Sequence, residues 1–169
     1  MQFIPKKNKK GAIVSLCLML LGGAGLIASV TAQIRYAALF QLAALFLFIF
    51  SFEFFYRYEM TTMIYLYDGQ DFKIIRKVGK KEQYVCNLAM STAIAILPTP
   101  TGREARRAMA RDYGKIGIRY NHAQVMHPRC PYSVLFDFNG KVAEIVFEPD
   151  EKMAAAIAEQ IRLLENQKN

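Results

Sequence analysis

Two long apolar runs, separated by a few residues, dominate the first third of the chain. Residues 12–32 carry no charge, and residues 37–56 are interrupted by Gln41 and Glu53. An α-helix over the 21 residues of the first run is about 31 Å long, which matches the roughly 30 Å hydrocarbon core of a bilayer. Because residues 33–36 leave room only for a short connection, the sequence predicts an antiparallel helical hairpin that spans a membrane.

The charges that flank these runs predict the orientation of the hairpin. Four lysines lie between residues 6 and 10, Arg57 follows the second run, and the connection holds only Arg35. The positive-inside rule therefore predicts a multi-pass protein of the cell membrane with both termini in the cytoplasm. The expected organisation is a basic cytoplasmic N-terminus (1–11), a transmembrane hairpin (12–57) and a cytoplasmic domain (58–169).

A cleaved signal peptide is the competing interpretation of the first run. The lysine cluster, the apolar run and Val30-Thr31-Ala32 resemble the three regions of such a peptide. The run is long for a signal peptide, however, and a second span would begin almost at the cut. Even then the second run would act as a stop-transfer helix, and the domain that follows would still lie in the cytoplasm.

Small residues in the first run indicate a helix–helix contact. Gly22, Gly25 and Ser29 allow close approach of a second helix in lipid. Two interpretations are open: packing within the hairpin, or a contact with another membrane subunit. Glu53 is an ionisable group in an apolar run, but it lies three residues before Tyr56, so we expect it to reach the headgroup region or to pair with Arg57.

Residues 58–169 alternate short β-branched or aromatic runs with turn signals, which is typical of a small sheet protein. Asn139-Gly140 between two such runs predicts a β-hairpin. Residues 90–97 fit either a strand or a helical turn. We expect a final helix over 151–165, with Asp150 as its N-cap. The remaining predictions are strands over 60–67, 72–78, 83–88, 115–120, 123–126, 132–138 and 141–147, and a helix over 103–111 that is capped by Thr101 or Gly102.

This order of elements resembles the pleckstrin-homology-like (PH-like) superfold. The pair of strands around Asn139-Gly140, followed by Glu148-Pro149-Asp150 and an Ala-rich helix, looks like the closing strands and helix of that fold. The resemblance implies two bent sheets in a half-open barrel, with the last helix plugging one end. The expected fold class is therefore α+β: a transmembrane helical hairpin followed by a mostly-β PH-like domain that a C-terminal amphipathic helix closes.

One cluster of His and Cys residues offers the chemistry of a metal or a nucleophile. His122, His127 and Cys130 have the spacing H-x4-H-x2-C, and Cys86 would have to supply the fourth ligand of a structural zinc site. Alternatively, Cys130 could act as a nucleophile with His127 as its base. The simplest interpretation is an ordinary polar loop with an inert, buried Cys86.

Other catalytic signals are missing from the sequence. It contains no phosphate-binding glycine loop and no nucleophile elbow. Asp137 and Glu144 fall on facing strands, where we expect them to face Lys141 or solvent rather than to act as a pair. The sequence therefore predicts a protein that is not an enzyme and that has no metal and no cofactor.

Two basic clusters are the candidate binding residues, and the chain has a net charge of +8. A domain tethered close to a bilayer feels the negative field of anionic lipid, where each charge near the surface is worth about 1 kcal/mol. We therefore expect the clusters to bind anionic lipid headgroups or a protein partner, whereas a membrane anchor argues against nucleic acid. The open alternative is that they form an ordinary solvated surface. The alternative function is an accessory subunit of a larger membrane complex that uses the hairpin as its interface. The clusters are Lys73, Arg76, Lys77, Lys80 and Lys81 in the first, and Arg103, Arg107 and Arg111 with neighbouring Arg106 in the second.

Overall fold

A computed structural model describes residues 1–7, 9–31 and 36–168. Outside these residues lie Arg35, which bears on the predicted topology, and Ala32, which belongs to the predicted cleavage region. The chain is mixed α+β, with two apolar N-terminal helices, two sheets and a C-terminal helix. It forms two compact units. One is the helical segment 7–62, and the other joins Met1–Lys6 to the chain from Met63 onward.

The first unit is an antiparallel helical hairpin. Helix α1 (Lys9–Thr31) packs along α2 (Ala37–Phe55), which continues into a π-helical turn over Tyr56–Met60. The mean hydropathy of their most apolar windows is 2.3 and 2.0, and only 17% and 11% of these windows are buried. Both helices are thus long and apolar enough to cross a membrane, and most of their apolar side chains are exposed, unlike those of a core helix in a soluble protein.

The second unit begins with a sheet to which the first residues of the chain contribute. Strand β1 (Gln2–Phe3) pairs antiparallel with β2 (Thr61–Tyr67), with Phe3 opposite Tyr65. Strands β3 (Asp71–Val78) and β4 (Lys81–Ala89) complete the order β1-β2-β3-β4. The pairing of β3 with β4 shifts register beside Ile74, where Val85 is the extra residue of a β-bulge.

The second sheet has the order β5-β7-β8-β6. Strand β6 runs parallel to β8, whereas the β5–β7 and β7–β8 pairs are antiparallel. The β7–β8 hairpin turns at Asn139 (φ 55°) and Gly140 (φ 75°), two positive φ values that suit a two-residue turn of type I′. The predicted Asn-Gly hairpin is confirmed. The strands are β5 (Ala93–Pro98), β6 (Ile116–Asn121), β7 (Tyr132–Phe138) and β8 (Lys141–Phe147).

The core forms where residues of both sheets meet the C-terminal helix α4 (Glu151–Lys168). Tyr65, Phe72 and Phe147 form an aromatic centre with ring centroids 4.8–6.5 Å apart. Met153 and Ile157 of α4 are fully buried against it. Asp150 Oδ1 accepts a hydrogen bond from the N–H of Met153 at 2.9 Å, so the predicted N-cap of this helix is confirmed.

The structure decides between two pairs of open alternatives and contradicts one predicted strand. The ambiguous stretch after β4 is a 3₁₀ turn, Met90–Thr92, followed by β5. Of the two predicted caps of helix α3 (Arg103–Tyr113), Gly102 is the N-cap residue, and it has no side chain with which to accept a hydrogen bond. The strand predicted over 123–126 is wrong, because this segment is a loop with its own hydrogen-bond partners.

Hydrogen bonds with other segments of the chain hold that loop in place. Gln124 is buried, and its Oε1 accepts the N–H of Met63 at 2.6 Å. Glu148 Oε1 accepts the N–H of Val125 at 2.9 Å. Burial raises the pKa of Glu148 above its usual value, although hydrogen bonds from the backbone of Val125 and Gln124 act in the opposite direction. The backbone N–H of Val125 is thus satisfied by a side chain rather than by a neighbouring strand.

Candidate functional site

The first basic cluster lies on the β3–β4 hairpin, and part of its charge is neutralised locally. Lys73 forms ion pairs with Asp68 at 3.1 Å and with Asp71 at 3.2 Å, and Lys77 pairs with Glu82 at 2.6 Å. The backbone N–H of Asp71 and the ammonium of Lys73 lower the pKa of Asp68 to about 2. These carboxylates therefore compete with any external anion for the two lysines.

The remaining members of this cluster differ in their surroundings. Arg76 donates a hydrogen bond to Gln83 Oε1 at 3.0 Å. Lys80 and Lys81 lie at the exposed turn of the hairpin, and in the described part of the chain neither has an ion-pair partner. The turn thus presents two lysines to solvent rather than five cooperating charges.

The second basic cluster lies on α3 and keeps its charge. Arg103, Arg107 and Arg111 follow one another at four-residue spacing, so they share a helix face, and Arg106 lies beside them. All four side chains are exposed, and none forms an ion pair within residues 1–7, 9–31 and 36–168. Met109 is the buried residue of this helix. Helix α3 is therefore the stronger of the two candidate anion-binding surfaces.

The His and Cys residues do not assemble into a metal site. Among the described residues, no group of three His, Cys, Asp or Glu side chains is placed to hold a metal ion. Cys130 is exposed, whereas Cys86 is half-buried and burial raises its pKa to about 11. The ring of His122 instead stacks on that of Tyr120, with centroids 6.3 Å apart.

A cleft of about 470 Å³ lies between β4 and the second sheet. Its walls include the consecutive residues 85–89 of β4 and the side chains of Tyr120, His122, Phe136 and Ile145. Sequence reasoning missed this cleft because it depends on how the free edge of one sheet meets the inner face of the other. Its volume lies within the range of ligand-binding sites, about 300–1,000 Å³.

A chain of polar side chains, in which Ser133 and Glu144 are buried, ties β6 to the rest of the second sheet. Arg119 Nε meets Glu144 Oε2 at 3.2 Å, and Ser133 Oγ donates to Glu144 Oε1 at 2.6 Å. Ser133 Oγ also lies 2.9 Å from Thr99 Oγ1. The expectation that Glu144 faces Lys141 or solvent is therefore wrong, because its side chain is only 2% exposed. Asp137 remains at the surface, where it accepts the N–H of Gly140 at 2.8 Å.

The small residues of α1 lie against α2. A Cβ atom on Gly22 would come within 2.9 Å of the backbone nitrogen of Phe48, and one on Gly25 within 3.2 Å of Ala44 Cβ. Ser29 is buried, and its hydroxyl donates to the carbonyl of Leu26 at 2.7 Å. Glycine at position 22 thus permits a close approach of the two helix backbones.

No model of a known protein family matches the chain, and no curated protein matches it significantly.

Proposed function

We propose that this chain is a non-catalytic, multi-pass membrane protein. Its PH-like domain lies in the cytoplasm and docks on the anionic lipid headgroups of the membrane. The observation that carries the proposal is the row of exposed arginines on α3, which have no carboxylate partner in the described residues and belong to a chain with two bilayer-length apolar helices. The basic hairpin turn at Lys80 and Lys81 is a secondary contact.

The pairing of β1 with β2 supports a topology with both termini on one side of the membrane. Residues 1–6, which precede the hairpin, belong to the same compact unit as the chain that follows it. Only an even number of membrane crossings between them is compatible with that pairing. The lysines that flank α1 favour the cytoplasm as the shared side.

The arrangement of the second unit supports the PH-like assignment. Two sheets enclose a common core, the β7–β8 hairpin precedes the last helix, and α4 packs its apolar face against that core. The parallel position of β6 beside β8 departs from a simple succession of hairpins. We treat β6 and the preceding α3 as an addition to the PH-like framework.

The chemistry of α3 suits lipid phosphates. A guanidinium group presents several N–H donors in a planar fork, which matches the oxygens of a phosphate and is more weakly hydrated than an ammonium group. Each such charge near an anionic surface contributes about 1 kcal/mol, and the attraction fades over a Debye length of about 8 Å. Three arginines on one face therefore act together only when that face approaches the bilayer.

The absence of tryptophan from the chain allows a direct test of docking. Tyr113→Trp, at the end of α3, places a single fluorophore beside the arginines in the full-length protein. In nanodiscs with brominated lipid, we expect stronger quenching of this fluorophore when the bilayer contains phosphatidylserine than when it is entirely phosphatidylcholine. The difference should shrink as salt increases, because the attraction is electrostatic. Equal quenching in both bilayers would refute docking through α3.

Charge variants locate the contact. Replacing Arg103, Arg107 and Arg111 together by Gln should abolish the lipid dependence. A matched control that removes three exposed charges elsewhere, Arg129, Lys152 and Arg162, should leave it unchanged. A second reporter, Tyr84→Trp on β4, tests the hairpin turn. If the lipid dependence is lost only when Lys77, Lys80 and Lys81 are replaced by Gln, docking occurs through the hairpin turn instead.

Thiol labelling tests the topology independently. In a background without Cys17 and Cys86, a membrane-impermeant maleimide should modify the exposed Cys130 only after the cells are permeabilised. Tyr36→Cys, in the exposed turn before α2 and with Cys130 replaced by Ser, should be labelled in intact cells. Labelling of Cys130 from outside would overturn the cytoplasmic assignment.

The accessory-subunit alternative predicts a different result. The small residues of α1 already pack within the hairpin, so a partner subunit would have to contact other faces of α1 and α2. Two results together would favour that alternative. The protein would co-purify with a defined membrane complex in mild detergent, and the fluorescence of the Tyr113→Trp variant would not depend on the lipid.

A further inference from the structure

We propose that the cleft beside β4 receives an extended peptide segment of a partner protein, which adds to the free edge of β4 as a fifth strand of the first sheet. This inference is independent of lipid docking. It rests on the backbone that lines the cleft, on the apolar wall opposite, and on the charges at its rim.

The wall of the cleft on the β4 side is a strand edge rather than a strand face. Five consecutive residues, 85–89, border the cleft. Successive side chains of a strand point to opposite faces of its sheet, so a cavity that touches every residue in a row must lie along the backbone edge. Strand β4 is the last strand of its sheet, and among the described residues this edge has no neighbouring strand.

The hydrogen-bond pattern shows which backbone groups point into the cleft. Met90 donates its N–H to the carbonyl of Gln70, on the β3 side. Because such bonds alternate along an antiparallel pair, Leu88 also bonds toward β3, whereas Asn87 and Ala89 direct their backbone groups to the free edge. The carbonyl of Ala89 accepts the hydroxyl of Thr92 at 2.8 Å. The N–H groups of Asn87 and Ala89 and the carbonyl of Asn87 remain for a new strand.

This edge lacks the usual protection against strand addition. Sheet edges are commonly guarded by charged residues, by proline or by a cover of other chain. The first half of β4 carries Lys81 and Glu82, but residues 85–89 contain neither a charge nor a proline. The unguarded half is also the half that borders the cleft, which is the arrangement expected of a peptide-binding edge.

The opposite wall provides contacts for alternate side chains of the peptide. Phe136 and Ile145 lie on the inner face of the second sheet, and Tyr120 and Phe138 extend this surface toward solvent at 38% and 45% exposure. An added strand would point every second side chain at this aromatic surface. We therefore expect β-branched or aromatic residues at alternate positions of the peptide.

The charges around the cleft favour a peptide with an acidic end. Lys141 pairs with Phe138 across the β7–β8 turn, so its side chain leaves the same face of the sheet as this residue of the cleft. The carboxylate of Asp137, also in the cleft, is engaged with the N–H of Gly140. Residues 63–169 carry sixteen basic and twelve acidic side chains, so the unit as a whole attracts an acidic peptide.

The test uses the full-length protein in nanodiscs and a defined probe. Heptapeptides displayed on phage are selected against the loaded nanodiscs, with empty nanodiscs as the counter-selection, and the most enriched peptide is synthesised with a fluorophore. We expect alternating apolar positions and an acidic terminus. Methylating those of its backbone nitrogens that face β4 should weaken binding about tenfold or more. Methylating the alternate nitrogens, which face away from β4, should change the affinity little.

The matching change in the protein is Ala89→Pro. Ala89 has φ −68°, which proline adopts without strain, and its N–H points away from β3. This variant should keep its unfolding temperature and lose at least tenfold in peptide affinity. Ala89→Ser, which keeps the N–H, is the matched control and should bind as the parent does.

Several results would overturn the proposal. One is that no peptide is enriched over empty nanodiscs. Another is binding that tolerates both Ala89→Pro and N-methylation, which would place the peptide elsewhere. A third is that Tyr120→Ala abolishes binding while neither backbone change affects it. The cleft would then recognise side chains, as a small-molecule pocket does, and would not add a strand to the sheet.

Discussion

The guanidinium Nε of Arg119 lies 3.2 Å from the carboxylate of Glu144, a side chain that is almost completely removed from solvent. The two residues are neighbours across the parallel pairing of β6 with β8. A buried carboxylate requires a partner, and here it has both the arginine and the hydroxyl of Ser133. This ion pair therefore holds the edge strand β6 against its neighbour β8 inside the second sheet.

Removing the arginine should be costly. Arg119→Ala leaves Glu144 buried with one hydroxyl partner, and because Arg119 itself is about one-third exposed, we expect a loss of about 2 kcal/mol rather than the roughly 3–5 typical of a fully buried pair. Urea unfolding of the full-length protein measures this loss. The double variant Arg119→Met with Glu144→Leu should regain most of the stability, and a double variant as unstable as Arg119→Ala would contradict the role of the pair.

The N-terminal strand should contribute to the stability of the second unit. Phe3 stacks on Tyr65 with ring centroids 6.5 Å apart and packs against the core. Phe3→Ala should lower the free energy of unfolding by about 1–2 kcal/mol, less than for a fully buried Phe. Ile4→Ala, at an exposed neighbouring position, is the control and should have little effect. Equal effects of the two changes would show that β1 is not anchored through Phe3.

Two adjacent glycines of α1 should respond differently to the same change. A Cβ at position 22 would collide with the backbone of Phe48, whereas one at position 23 meets nothing within 4 Å. Gly22→Ala should destabilise the hairpin by about 1–3 kcal/mol through overpacking. Gly23→Ala should be neutral or slightly stabilising, since alanine favours a helix over glycine. Thermal unfolding in detergent compares the two, and similar melting temperatures would refute the close helix contact.

The cysteines should differ in their reactivity with pH. Burial raises the pKa of Cys86 to about 11 from 9.0, so its reactive thiolate is scarce at about pH 8 and increases only toward pH 11. In the same protein, the exposed Cys130 should react much faster with a maleimide at about pH 7–8. Because the folded state favours the neutral thiol, the stability that Cys86 contributes should be present below about pH 9 and decline between about pH 9 and 11. Rapid modification of Cys86 at neutral pH would contradict its burial.

Local signals in the sequence predicted most elements of the second unit. Asn139 and Gly140 have the backbone conformation that their residue types favour, and Asp150 caps the helix that follows it. Such features depend on a few consecutive residues, so no knowledge of the rest of the chain is needed. The membrane-length helices are equally local, since length and hydropathy suffice to predict them.

Features that depend on distant parts of the chain were not predictable. Strand β1 is two residues long and has no periodic pattern, so only its pairing with β2 defines it. The burial of Glu144 depends on Arg119 lying on a parallel neighbour, which no short sequence pattern reveals. The same holds for the basic hairpin, where pairing with Asp68, Asp71 and Glu82 reduces the charge that the sequence presents as a single cluster.

The pairing of β1 with β2 has a consequence for biogenesis. Phe3 leaves the ribosome long before Tyr65, so the first strand has no partner until both helices and the strand that follows them have been made. If the helices enter the bilayer as a hairpin, the two strands meet on the same side and the sheet can close. If only one helix inserts, Phe3 and Tyr65 end on opposite sides, and the domain remains without its first strand. Completion of the sheet would thus report correct insertion, and quality-control proteases could distinguish a chain in which it has failed.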